Sequence, residues 1–142
     1  MLRLQSLAVL VFIGLVAYAN SLSIKPIKPI KPIELTDNVK GLRVGGIKQV
    51  CGGAELEILS IEDSRCPANV MCIWAGLAKV QARLSNKEAS DTVDLVLGLP
   101  QNNVEVTLGA NVYTVALQSV VPYPGLGVNN AVKEAVVEVT CS

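Results

Sequence analysis

The 142-residue chain contains no histidine. That removes the usual general base of serine and cysteine nucleophiles, so no triad of the Ser-His-Asp or Cys-His kind can be assembled. It also removes the commonest nitrogen ligand of zinc. The four cysteines, Cys51, Cys66, Cys72 and Cys141, include no Cys-x-x-Cys pair, so no metal site is expected. Aromatic residues make up 4% of the chain, and twelve basic residues balance twelve acidic ones. A nucleic-acid binder would show a basic excess and an aromatic or arginine-rich face; neither is here. No Gly-rich phosphate loop opens a helix, so no cofactor is expected. There is no Asn-x-Ser/Thr sequon for N-glycosylation.

Long apolar runs are also scarce. One exists, from Leu7 to Tyr18, preceded by Arg3 and closed by Ala17-Tyr18-Ala19. It falls short of the roughly twenty residues that span a bilayer. The small residues Ala17 and Ala19 stand where signal peptidase reads. Residues 1–19 are therefore expected to be a signal peptide, with the mature chain starting at Asn20. No cysteine follows the run to carry a lipid. No second long apolar stretch and no basic amphipathic helix follow either. The expectation is a secreted, extracellular chain with no membrane anchor.

In an exported chain an even number of cysteines points to disulfides. Four cysteines allow three connectivities. The favoured one joins Cys66 to Cys72, a tight loop containing Pro67, and Cys51 to Cys141, at the ends of the domain.

Between Asn20 and Arg43 the composition is not that of a domain. Ile24 to Ile33 reads Ile-Lys-Pro three times and then Ile. Proline at every third position removes backbone donors and fixes φ, leaving polyproline II as the natural conformation. Three residues per turn then align Lys25, Lys28 and Lys31 in one column, spaced roughly 9 Å apart. Residues 20–43 are read as a flexible Lys/Pro-rich arm. Its plain role is a spacer; its sharper role is contact with an anionic polymer through the three lysines.

From Val44 onward the pattern becomes strand and turn. Ala78, Val80, Ala82 and Leu84 alternate with Lys79, Gln81 and Arg83, as on a half-buried strand. Similar alternation covers Leu56 and Ile58, Val93 to Leu97, Val104 to Leu108, Tyr113 to Leu117 and Ala135 to Cys141. Gly52-Gly53, Gly98 to Asn103, Gly109-Ala110-Asn111 and Pro122 to Asn130 read as turns and loops. With Val50-Cys51, this makes about seven short strands and no helix. The expected fold over residues 44–142 is all-β: an antiparallel β-sandwich or small barrel stabilised by disulfides.

The segment from Glu62 to Leu84 holds two cysteines and the only tryptophan. From Asp63 through Val80 it resembles a signature carried by small exported bacterial proteins, many of them lipoproteins: Asp-Ser-Arg-Cys-Pro-x-x-Val-x-Cys-x-Trp-Ala-Gly-x-Ala-x-Val. The resemblance implies a Cys66–Cys72 bridge and a β-rich exported domain, and it implies no activity. Two departures stand out. No lipid-attachment cysteine follows the signal peptide, and Cys51 and Cys141 are additions to the pattern. Read physically, Asp63 suits an Asx-type turn and Arg65 can pair with Glu62 or Asp63. Pro67 stiffens the loop, and Gly76 permits a close backbone approach where the next strand begins. Trp74 is expected to turn inward and cover the bridge, a structural role.

The functional expectation is a non-enzymatic structural or binding module of extracellular material such as matrix, cuticle, cell wall or mineral. Its partner would be an extracellular protein, polysaccharide or mineral. One alternative is a secreted protease inhibitor presenting the Cys66–Cys72 loop, with Arg65 or Met71 facing the specificity pocket. The other is an enzyme using paired carboxylates, Glu62 with Asp63 or Asp91 with Asp94, which more simply read as solvated surface charge.

Overall fold

In the computed structural model the described residues are 35–100, 102–125, 127 and 131–142. All belong to the second of two units into which the chain divides, Pro32–Ser142. The expected signal peptide and Lys25, Lys28 and Lys31 lie outside the described residues.

The alternating segments form strands where their apolar residues can share one face. Among the described residues there are eight strands, including two with little or no burial (β1 and β2): β1 Leu35–Leu42, β2 Ile47–Gln49, β3 Glu55–Asp63, β4 Ala78–Ser85, β5 Ser90–Leu97, β6 Asn103–Leu108, β7 Asn111–Val121 and β8 Glu134–Cys141. A 3-10 turn at Cys51–Gly53 links β2 to β3. The strands build two antiparallel four-stranded sheets, ordered β1-β8-β7-β6 and β2-β3-β4-β5. The result is the expected all-β architecture with the layers of a sandwich.

The core forms where the inner faces meet. Leu56, Ile58, Val80, Leu84 and Leu95 from one sheet cluster with Val106, Leu108, Val115, Leu117, Val137 and Val139 from the other. In β4 the pattern is regular: Ala78, Val80, Ala82 and Leu84 are fully buried while Lys79, Gln81 and Arg83 face outward. Outward charges pair across strands, Arg83 with Glu57 at 3.1 Å and Lys79 with Asp94 at 3.1 Å. Bulges interrupt β3 between Ile58 and Ser60 and β7 between Leu117 and Ser119.

Both expected disulfides are formed, Cys51–Cys141 and Cys66–Cys72. They differ in setting: Cys51 is buried, whereas Cys72 is exposed. Tyr113, the largest fully buried side chain among the described residues, is the cross-strand partner of Cys141, and its hydroxyl donates to the Gly52 carbonyl at 3.4 Å. An aromatic thus stands beside a disulfide, but it is Tyr113 beside Cys51–Cys141.

One boundary differs from the expectation. The arm was expected to run to Arg43, yet Leu35–Leu42 is an edge strand paired with β8 from Leu35↔Cys141 to Leu42↔Ala135. Its burial is slight, with Val39 the single buried side chain. Backbone pairing to β8 holds it in place, and hydrophobic alternation does not report that.

Candidate functional site: an exposed disulfide-closed loop

β3 ends at Asp63 and β4 begins at Ala78, and these two residues are paired across the sheet. The chain between them, residues 64–77, leaves the sandwich as a loop. Its stem continues the hairpin: Ser64 N–H donates to the Leu77 carbonyl at 2.9 Å, and Cys66 N–H to the Ala75 carbonyl at 2.7 Å. The stem is tight at Gly76. Its φ is +70°, and a Cβ there would lie 2.0 Å from the Ser64 carbonyl oxygen. A side chain cannot be accommodated without moving backbone, which accounts for the glycine.

The base of the loop is held by an ionic cluster. Arg65 donates to both Asp63 carboxylate oxygens, Nε to Oδ1 and Nη2 to Oδ2, at 2.7 Å each. Its backbone N–H also reaches Asp63 Oδ1 at 3.3 Å, the expected Asx-type contact. Nη2 donates further to the Val120 carbonyl at 2.7 Å, and the guanidinium lies 4.5 Å from the centre of the Tyr123 ring. Lys133 Nζ reaches Asp63 Oδ2 at 3.0 Å and the Pro122 carbonyl at 2.6 Å. The side chains of Asp63, Arg65 and Lys133 are only 4%, 12% and 25% exposed. This cluster ties the end of β3 to the end of β7 and the approach to β8, so it joins the two sheets. The Ala68 N–H donating to Pro124 adds a backbone tie at 3.0 Å.

Burial alone would raise the Asp63 carboxyl. The hydrogen bonds from Arg65 and Lys133, with the adjacent positive charge, win and bring it from 3.8 down to about 2. The same pairing raises Arg65, against the opposing effect of burial. Asp63 is therefore ionised at neutral pH and structurally engaged, which does not suit it to proton transfer. Asp94 is engaged by Lys79 and by Gln81 at 3.2 Å, and Asp91 accepts from the Thr92 N–H at 2.8 Å.

Above this base the loop has a different character. No charged residue occurs from Cys66 through Ala78. Val70 is 57% exposed, Met71 101%, Ile73 104% and Trp74 83%. The expectation that Trp74 turns inward over Cys66–Cys72 is overturned. The core beneath is already filled by Leu and Val from both sheets, and the stem directs residues 70–74 away from it. Among the described residues, the backbone groups of Met71, Cys72, Ile73 and Trp74 make no hydrogen bond. Two clefts flank the loop. One, about 560 Å³, is lined by Ser64, Trp74, Ala75, Gly76 and Leu77. The other, about 390 Å³, is lined by residues including Asp63, Pro67, Asn69, Pro124 and Lys133.

The signature residues thus come together in two roles. Asp63, Arg65, Pro67 and Gly76 build the base and stem, and Trp74 stands in solvent beside Met71 and Ile73. Lys133 and Tyr123 complete the base and were not anticipated; they lie far away in sequence, and only the juxtaposition of the two sheets brings them in. A sequence signal for the exposed tip existed. Val70, Met71, Ile73 and Trp74 do not alternate with polar residues as the strands do.

Comparison of the chain with protein-family models, curated proteins and solved structures returned no match.

Proposed function

We propose that this chain is a secreted, non-enzymatic binding module that recognises an extracellular protein through the Cys66–Cys72 loop. One observation carries the reading: four large apolar side chains, close together in sequence around a disulfide, stand in solvent on a base that is locked to both sheets. Large exposed apolar groups gathered in one place mark interaction surfaces. Burying Met71, Ile73 and Trp74 against a partner is worth roughly 2 kcal/mol or more per side chain before association costs. The disulfide and the paired stem reduce the ordering cost on binding, because the loop is shaped in advance. The signal peptide expected at residues 1–19 and the two disulfides support an extracellular setting.

The test uses the mature chain with a photoreactive residue at Ile73 or, as a comparison, at Gln81 on the outer face of β4. In extracellular fluid from the native source, the Ile73 probe should form a discrete protein adduct that Trp74→Ser abolishes while melting like wild type. The Gln81 probe should form none. Equal labelling from both positions, or no adduct from Ile73, overturns the reading.

A further inference from the structure

The kind of protein this loop fits can be named, on the reading that the loop is the recognition element. We propose that the loop occupies the substrate cleft of an extracellular endopeptidase with an apolar primary pocket, and that Met71 enters that pocket. Three features converge. The Met71 side chain is fully exposed, with Val70 before it and Ile73 and Trp74 after it. The backbone groups of residues 71–74 are unpaired among the described residues. A cleft that reads a polypeptide supplies both hydrogen bonds to the main chain and pockets for side chains. A lipid bilayer supplies only the second, because hydrocarbon offers unpaired backbone groups no hydrogen-bond partner.

The third feature separates an inhibitor from a substrate. The Met71–Cys72 amide lies inside the ring closed by Cys66–Cys72. Hydrolysis there adds one water, breaks the C–N bond and leaves a carboxyl on Met71 and an amino group on Cys72. The two new ends cannot separate. The bridge joins them, the stem bonds Cys66 N–H to Ala75 and Ser64 N–H to Leu77 hold both limbs, and Cys51–Cys141 joins the outer parts of the chain. Resynthesis is then an intramolecular step with a high effective concentration, and the cut loop keeps its place in the cleft. Arg65 does not serve as the pocket residue. Its guanidinium is taken by Asp63 and the Val120 carbonyl.

Chymotrypsin, elastase and subtilisin are the probes with apolar pockets, and trypsin, whose pocket is acidic, is the control. The mature, oxidised chain should inhibit at least one of the first three with a constant of about 1 µM or tighter, and trypsin not at all. Met71→Lys should weaken that inhibition by at least about 30-fold and create inhibition of trypsin. Gln81→Lys should change neither. On long incubation the inhibitor should gain the mass of one water without losing a fragment until it is reduced. Failure to inhibit any of the three at about 10 µM, or a Met71→Lys variant that leaves the pattern unchanged, overturns the proposal. A blue shift of Trp74 fluorescence on phosphatidylcholine–phosphatidylserine vesicles also overturns it. A discrete Ile73 adduct with a protein that is not a peptidase would preserve the recognition reading and remove only the inhibitor.

Discussion

Replacing Asp63 by Asn removes the one anion that Arg65 and Lys133 share, while keeping the shape of the side chain. Two routes give its cost. The carboxyl is depressed from 3.8 to about 2 in the folded state. At 1.36 kcal/mol per unit, that shift corresponds to about 2 kcal/mol of stability at neutral pH. The second route counts partners: Asp63 accepts from two Arg65 side-chain nitrogens and from Lys133, all largely out of solvent. Breaking a buried pair on one side costs roughly 3–5 kcal/mol, and the residual exposure of Lys133 lowers that figure. The expected loss is about 2–4 kcal/mol, a fall in melting temperature of roughly 10 °C for a domain of this size. The sign of the pH effect follows from the direction of the shift. Between about pH 4 and pH 2 the unfolded chain binds the proton that folded Asp63 refuses, so stability falls as the solution is acidified. It is fully present above the unfolded value and lost on passing the folded one. Urea unfolding of wild type and Asp63→Asn at pH 7, 4 and 2 measures both parts. The two proteins should differ most at pH 7 and converge toward pH 2. A variant that loses under about 0.5 kcal/mol at pH 7, or a gap that does not narrow in acid, would refute the role given to this cluster.

Gly76→Ala should cost about 2 kcal/mol or more in urea unfolding, since it combines a positive φ with a Cβ 2.0 Å from the Ser64 carbonyl oxygen; an unchanged midpoint would show that the stem yields to a side chain there. Brief treatment with a dithiol under native conditions should open the exposed Cys66–Cys72 bridge before the buried Cys51–Cys141 bridge, as read by alkylation and peptide mapping. Finding Cys51 or Cys141 alkylated first would contradict the assigned environments. A chain beginning at Val44 should melt well below one beginning at Leu35, because it lacks the strand paired with β8 from Leu35 to Leu42; equal melting temperatures would return residues 35–42 to a dispensable arm.

The sandwich was legible where burial follows a two-residue period. β4 and β8 show it plainly, because Val80 and Leu84, or Val137 and Val139, fall on the inner face while their neighbours are polar or half-exposed. β1 was not legible. Val39 is its single buried residue, and a strand held by main-chain bonds to β8 leaves little mark on side-chain choice. At the site, Asp63 with Arg65 could be anticipated from their spacing, and Gly76 from its position before β4. The inward Trp74 could not survive the structure: it assumed that a large aromatic next to a cysteine fills space over the sulfurs. Instead Leu56, Ile58 and their partners close the interior, and Tyr113 takes the place beside the other bridge. Lys133 joins Asp63 only through the folded arrangement of β8 against β3.

The register of the sheet containing β1 has a consequence for how the molecule is held. Leu35, Tyr113 and Cys141 line up at one pole, while Val121, Glu134 and the Asp63 cluster stand at the other. Leu35 and Cys141, paired with each other, therefore both stand at the pole opposite the loop. A linker joined directly at Leu35 or at Cys141 would hold the sandwich by this foot and leave the apolar tip facing outward. Because β1 and β8 run antiparallel in this register, moving the attachment from Leu35 to Cys141 would not turn the loop toward the support.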